Sequence, residues 1–158
     1  MGYTSRFLTL TKGTGVINRI FHGYGKFEGE MDGRKNGALI SMANGKAVAF
    51  AIFNLQARGE MFVTHNDPVY EGMIVGLAPK AGDMIINVMK GKQLTNMRTQ
   101  GTDENVVLTP VRQMSIAEQL SMLNTDEALE ITPKSLRLRK AILNPNDRKK
   151  NEKSSTPL

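Results

Sequence analysis

The chain has 158 residues, a mass of 17.4 kDa, 40% hydrophobic content, and 21 Lys and Arg against 15 Asp and Glu, giving a net charge of +6 and a pI near 9.7. That is room for one ordinary domain, or a small domain with a piece of another, and the cationic excess favours an anionic partner such as nucleic acid. The absence of cysteine excludes disulfides, thiolate catalysis and cysteine-ligated zinc. No stretch approaches the roughly 20 apolar residues of a membrane span, and no Trp is present for an interfacial belt. The N-terminus, MGYTSRFLTLTKG, lacks the uninterrupted apolar core and small-residue cleavage site of a signal peptide, so a cytoplasmic location is expected.

Residues 3–11, YTSRFLTLT, fit two periods: Tyr3, Phe7 and Leu10 stand at helical spacing, while Leu8 and Leu10 alternate with Thr as in a strand. After Gly13-Thr14-Gly15, the apolar run Val16, Ile17, Ile20 and Phe21 predicts a buried strand that ends in the turn His22-Gly23-Tyr24-Gly25. Residues 26–36 are polar and glycine-rich, the expected domain boundary. Residues 37–42 and 46–53 read as two strands joined at Asn44-Gly45, a pair that supplies the positive φ of a tight hairpin. Further short strands are expected at 60–63, 73–77, 84–88 and 105–108, spaced by turn formers such as Asn66-Asp67-Pro68 and Ala81-Gly82-Asp83. Ser115, with Glu118 three positions on, makes a capping box and predicts a short helix with Ile116, Leu120 and Leu123 inward and Met122 at the edge. Residues 128–131 and 135–138 then read as strand, Thr-Pro turn and strand. In the second, Leu136 and Leu138 alternate with Arg137 and Arg139, which predicts one buried and one basic face. The final stretch, NPNDRKKNEKSSTPL, has no apolar periodicity and reads as a frayed basic tail.

The run KGKQLTNMRTQGTDE at 90–104 gathers cations, amides and hydroxyls around only two apolar side chains. Lys90, Lys92 and Arg98 suit phosphate neutralisation, while Thr95, Asn96, Thr99, Gln100 and Thr102 suit phosphate oxygens, ribose hydroxyls or base edges. A solvated surface loop has the same composition. Arg137, Arg139 and Lys140 form a second basic group that fits RNA and a solvated strand face equally. No nucleotide-hydrolysing phosphate loop is present, because Gly45-Lys46 and Gly91-Lys92 lack both the upstream glycine and the following Ser or Thr. His22 and His65 have no second ligand at a metal-binding spacing, and His65-Asn66-Asp67 reads as a solvated turn. Ser41 and Ser115 have no nucleophile elbow. No catalytic, cofactor or metal residue is therefore expected. The methionines read as core filling, with an adaptable peptide groove as the other use.

Five ordered stretches, FLTLTKGTGVIN (7–18), NGALISMANGKAVAFAIFNLQARG (36–59), VYEGMIVG (69–76), GKQLTNMRTQGTDE (91–104) and EITPKSLRLRK (130–140), closely resemble the C-terminal part of the BipA/TypA translational GTPases. The resemblance implies an α+β fold: a mainly β C-terminal domain with short helices at 28–143, followed by a basic flexible tail at 144–158. Residues 1–27 would be a helix-strand remnant of an elongation factor G domain V-like, ferredoxin-type fold. It also implies a fragment from which the GTPase domain and the two domains after it are missing. The family hydrolyses GTP with Mg, but this piece would hold no cofactor and catalyse nothing by itself. The implied partners are the ribosome (50S and 70S), 23S rRNA and the acceptor end of the A-site tRNA, with no membrane and no DNA. The implied roles are large-subunit assembly and stress or cold adaptation. The contacting loop would be 90–104, where Gln93 replaces a frequent second lysine and Thr99-Gln100 a small Ala-Ser pair. The alternative is a protein-interaction module without direct RNA contact.

Overall fold

The structure, a computed structural model, describes residues 3–26, 34–91 and 107–155. Its centre is β1 (Ala38–Ser41), which pairs antiparallel with β5 (Ile74–Leu77) and parallel with β6 (Met84–Ile86). β3 (Glu60–Met61) joins the outer side of β5, giving the order β3-β5-β1-β6. Alternation along the strands sends Leu39, Val75 and Ile86 into one apolar cluster, and Ala38, Ile40 and Ile74 into another. Both faces of β1 are thus covered, which is why Ala38, Leu39 and Ile40 run apolar without a break and the strand is buried throughout, Ser41 included. α2 (Ala49–Gln56) lies over the first face, where Ile52 and Leu55 enter the cluster. The hairpin β7 (Glu127–Ile131) and β8 (Leu136–Lys140) covers the second through Leu138 and Leu129, and Arg139 bridges to Met73. That hairpin and its Thr-Pro turn follow the sequence expectation.

Several elements differ from the expectation. The hairpin across 37–53 does not form: Gly45–Lys46 (β2) pairs instead with Pro68–Val69 (β4), and the apolar run after it is the helix α2. A short run such as AFAIFNLQ carries no period of its own, and its Ala, Leu and Gln favour a helix that buries Ala51, Ile52 and Leu55. Val48 supplies no side-chain cap to α2, but His65 Nδ1 accepts a hydrogen bond from Ala49 N at 3.2 Å, so this turn histidine works as an external cap. Residues 3–10 resolve as the helix α1 (Tyr3–Leu10). The strand expected next does not form: Val16, Ile20 and Phe21 are 82%, 92% and 75% exposed. A strand needs a neighbour for its backbone groups, and none of the described residues pairs with this segment. Val107 and Leu108 form no strand, while residues 105 and 106 lie outside the described residues.

The capping box is present at α3 (Ile116–Met122): Ser115 Oγ accepts from Glu118 N at 3.3 Å, and Ser115 N donates to Glu118 Oε2 at 2.8 Å. Its inward residue, however, is Gln119, while Ile116 and Leu120 are largely exposed. With barely two turns, the helix is held by its flanks, Met114 and Leu123, which pack on the second cluster. Beyond β8 the expected frayed tail is instead the helix α4 (Pro145–Ser155). Asn144 Oδ1 accepts from Asn146 N at 2.9 Å, and Pro145 fits the first helical position. Arg148 Nη1 donates to the carbonyls of Ile142 (3.0 Å) and Leu143 (2.7 Å), tying the first turn to the chain before it. Capping, not an apolar stripe, sustains this helix.

Candidate nucleic-acid interface

Lys90 is exposed at the end of a braced arm. β6 runs into Asn87, whose Oδ1 accepts from Met89 N at 2.9 Å; Val88 O accepts from Val48 N at 2.9 Å, and the Met89 thioether lies against Gly45. Val88 is fully buried, so the backbone that presents Lys90 is fixed to the core. The rest of the predicted contact loop, Lys92, Asn96, Arg98, Thr99, Gln100 and Thr102, lies outside the described residues. Where the chain is described again, Leu108 packs on the first core cluster and Gln56 clamps Thr109 from both sides: Nε2 donates to Thr109 O at 2.9 Å, and Oε1 accepts from Thr109 N at 3.2 Å. The two anchors sit at opposite ends of α2, whose eight residues span about 12 Å at about 1.5 Å each. Gln56 was not singled out in the sequence. Its only signal there was a polar side chain closing an apolar helix.

The second basic group is divided by strand alternation. Arg137 and Arg139 share the outer face of β8, whereas Lys140 shares the parity of Leu136 and Leu138 and is buried. Grouping Lys140 with the two arginines is thus corrected: it is an interior cation with no surface to offer RNA. Its Nζ lies 2.5 Å from Asp83 Oδ2, 2.6 Å from Asp126 Oδ2 and 2.9 Å from Glu127 Oε1. Glu127, whose side chain is fully buried, also takes both Arg34 nitrogens, Nη1 to Oε2 at 2.7 Å and Nη2 to Oε1 at 2.5 Å. Burial alone would lower Lys140, yet hydrogen bonds to the three carboxylates outweigh it and hold the ammonium above its ordinary value.

On the outer face, Tyr70 Oη donates to Glu130 Oε2 at 2.6 Å, and Arg137 Nη1 donates to Glu130 Oε1 at 3.2 Å. Burial, then the bond and charge of Glu130, push the Tyr70 phenol up to about 12. The Tyr70 bond and, after it, Arg137 hold Glu130 below its ordinary value against the effect of burial. Arg139 Nη1 donates to the Lys140 carbonyl at 3.2 Å. Arg137 is therefore paired with Glu130, whereas Arg139 acts on Glu130 only through its charge and makes no close ion pair among the described residues. No group of three or more His, Asp or Glu among the described residues is arranged to hold a metal ion.

Residues 36–145 match the TypA/BipA C-terminal domain family. Over its whole length the chain is 46% identical to the large ribosomal subunit assembly factor BipA of Buchnera aphidicola subsp. Schizaphis graminum. Across 95% of the chain it is 46% identical to proteins of the same name from Salmonella typhimurium strain LT2 and Escherichia coli strain K12. It spans 26% of the first relative and 25% of the other two, about a quarter of their length.

Proposed function

The chain belongs to the TypA/BipA family and carries its C-terminal domain, and from that membership we propose that it is a ribosome-contacting module serving large-subunit assembly. Its relatives are named large ribosomal subunit assembly factors, which supports the ribosome as partner. In the finer reading the module contacts 23S rRNA and the acceptor end of the A-site tRNA, works in the cytoplasm and takes part in stress adaptation. GTP and Mg belong to the family's GTPase domain, and no residue described above is assigned a catalytic step.

The observation that carries the RNA reading is the mounting of the 90–104 loop. Lys90 leaves the core exposed on a braced arm, so this cation is presented at little entropic cost, and the chain is clamped again by Gln56 at Thr109. Lys90, Lys92 and Arg98 take phosphate oxygens, while Asn96, Thr99, Gln100 and Thr102 take ribose or base edges. The test is co-sedimentation of the chain with 50S subunits and 70S ribosomes across a salt series. Three phosphate contacts give a logarithmic salt slope of about −2 to −3, from roughly −0.7 to −0.9 each. K90A/K92A/R98A should flatten the measured slope by that amount, and Arg98→Ala alone should flatten it by about one contact. Full binding by the triple variant would leave the loop with no part in the interface.

A further inference from the structure

Three turns at the start of β1 interlock main chain against main chain. Gly37 N donates to Lys80 O and Ala78 N donates to Gly37 O, each at 2.9 Å. A Cβ at Gly37 would overlap the Gly82 carbonyl, and one at Gly59 would overlap the Leu77 carbonyl, so the backbones touch where only glycine fits. Each turn carries one exposed cation: Lys35 before β1, Arg58 between α2 and β3, and Lys80 between β5 and β6. None of the three has a carboxylate partner among the described residues. Among the described residues the two acids beside them are engaged elsewhere, Asp83 by Lys140 at 2.5 Å and by Ala38 N at 2.7 Å, and Glu60 by Arg112 at 3.7 Å. Lys35 and Lys80 stand two residues from Gly37 and Ala78, and Arg58 one residue from Gly59. At no more than about 3.6 Å per residue, each cation's Cα lies within about 7 Å of the junction.

We propose that this junction is a second phosphate-contacting surface, with Lys35, Arg58 and Lys80 each taking a backbone phosphate of ribosomal RNA. The inference rests on the ribosome reading above and adds a surface to it. The Gln56 clamp on Thr109 brings the chain back to the domain two residues before Arg58, so the junction adjoins the described return of that limb. Its position at the start of β1, with Lys90 leaving beyond the other end of that strand, makes it a separate group of contacts. RNA fits better than a lipid surface: the exposed neighbours Asn36, Ala57, Pro79 and Ala81 include no aromatic or large aliphatic side chain to enter a bilayer interface. Cations on rigid turns lose little freedom on meeting phosphate, and Arg58 offers the forked geometry that phosphate prefers.

The test is K35Q/R58Q/K80Q in the 158-residue chain, with an unchanged thermal midpoint as the folding control. Binding to 50S subunits should show a logarithmic salt slope flatter by about 2 to 3, and the change should add to that of K90A/K92A/R98A. Unchanged affinity and slope would overturn the junction and leave the loop reading intact. If the unaltered chain does not bind subunits, the ribosome reading fails instead. The junction is then read with poly(U) and with anionic phospholipid vesicles: loss of poly(U) binding in the variant upholds it, and retained poly(U) binding or binding to vesicles alone overturns it.

Discussion

Replacing Lys140 by Met keeps most of the buried stem and deletes the ammonium, which isolates the electrostatic role of the interior cluster. Asp126 is 57% and Asp83 35% exposed, so water compensates much of what either loses. Glu127 has no such relief, because its side chain is fully buried. Removing one partner from a buried pair costs about 3–5 kcal/mol. Arg34 remains bidentate on Glu127, which places the expectation at about 3 kcal/mol, the lower end of that range. For a chain of this size, about 2–4 °C per kcal/mol gives a fall of about 6–12 °C in Tm. The assay is thermal and urea unfolding followed by circular dichroism, repeated at high salt, to which a buried cluster is less sensitive than an exposed pair. The pH dependence has a definite sign. Lys140 is held above the ordinary lysine value of 10.5, so its contribution is complete below that pH and is lost as pH rises through the raised value. Burial alone would raise Asp83, but the Ala38 N–H and Lys140 hold it below the ordinary 3.8. Its contribution is therefore present above that pH and lost as pH falls through the lowered value. Lys140→Met should remove the Lys140 part of the alkaline limb and leave the part that belongs to Tyr70, whose phenol is pushed up to about 12. A loss below about 1 kcal/mol, within reach of ordinary surface substitutions, would refute the assignment of Lys140 as an interior charge.

Gln56→Ala removes both hydrogen bonds to Thr109; it should cost about 1 kcal/mol and accelerate hydrogen exchange at the Thr109 amide while leaving that of Val48 unchanged. Ser115→Ala breaks the capping box and should lower stability by about 1 kcal/mol, with Ser115→Asp restoring most of it in urea titrations. Tyr70→Phe should delete the phenolate step near pH 12 from an ultraviolet titration and return Glu130 toward its ordinary value by NMR; a titration curve identical to that of the unaltered chain would contradict the Tyr70–Glu130 bond.

What could be read from the sequence was chemistry written within a few residues. The strands near 38–41, 74–77 and 84–86, the β7–β8 hairpin and the α3 cap all carry local signals: alternation, turn formers, or a Ser with Glu three positions on. Partners distant in sequence decided the rest. Residues 49–56 became a helix because the sheet had a face to cover, and a continuous apolar run does not say which element will cover it. The run at 16–21 has the composition of a strand and no neighbour among the described residues to pair with. For the site, the exposure of Lys90 agrees with the reading, whereas Lys140 breaks a rule already visible in the sequence. Period-two alternation places it with Leu136 and Leu138, and only the expectation that lysine faces water set it among the arginines.

The Arg34–Glu127 ion pair has a further consequence, for how the domain is completed during synthesis. Its partners are separated by 93 residues, and the Lys140 that shares the same carboxylate comes 13 residues later still (140 less 127). A nascent chain that has exposed β1, β5 and β6 can already pair its sheet, but the face formed by Ala38, Ile40 and Ile74 is covered in steps, by Phe62, Met114, Leu123 and Leu129, and completed only when Leu138 emerges. Arg34 waits through that interval without its counter-ion. Translation speed between about residues 90 and 140 thus sets how long an apolar sheet face stays incompletely covered beside an unmatched guanidinium.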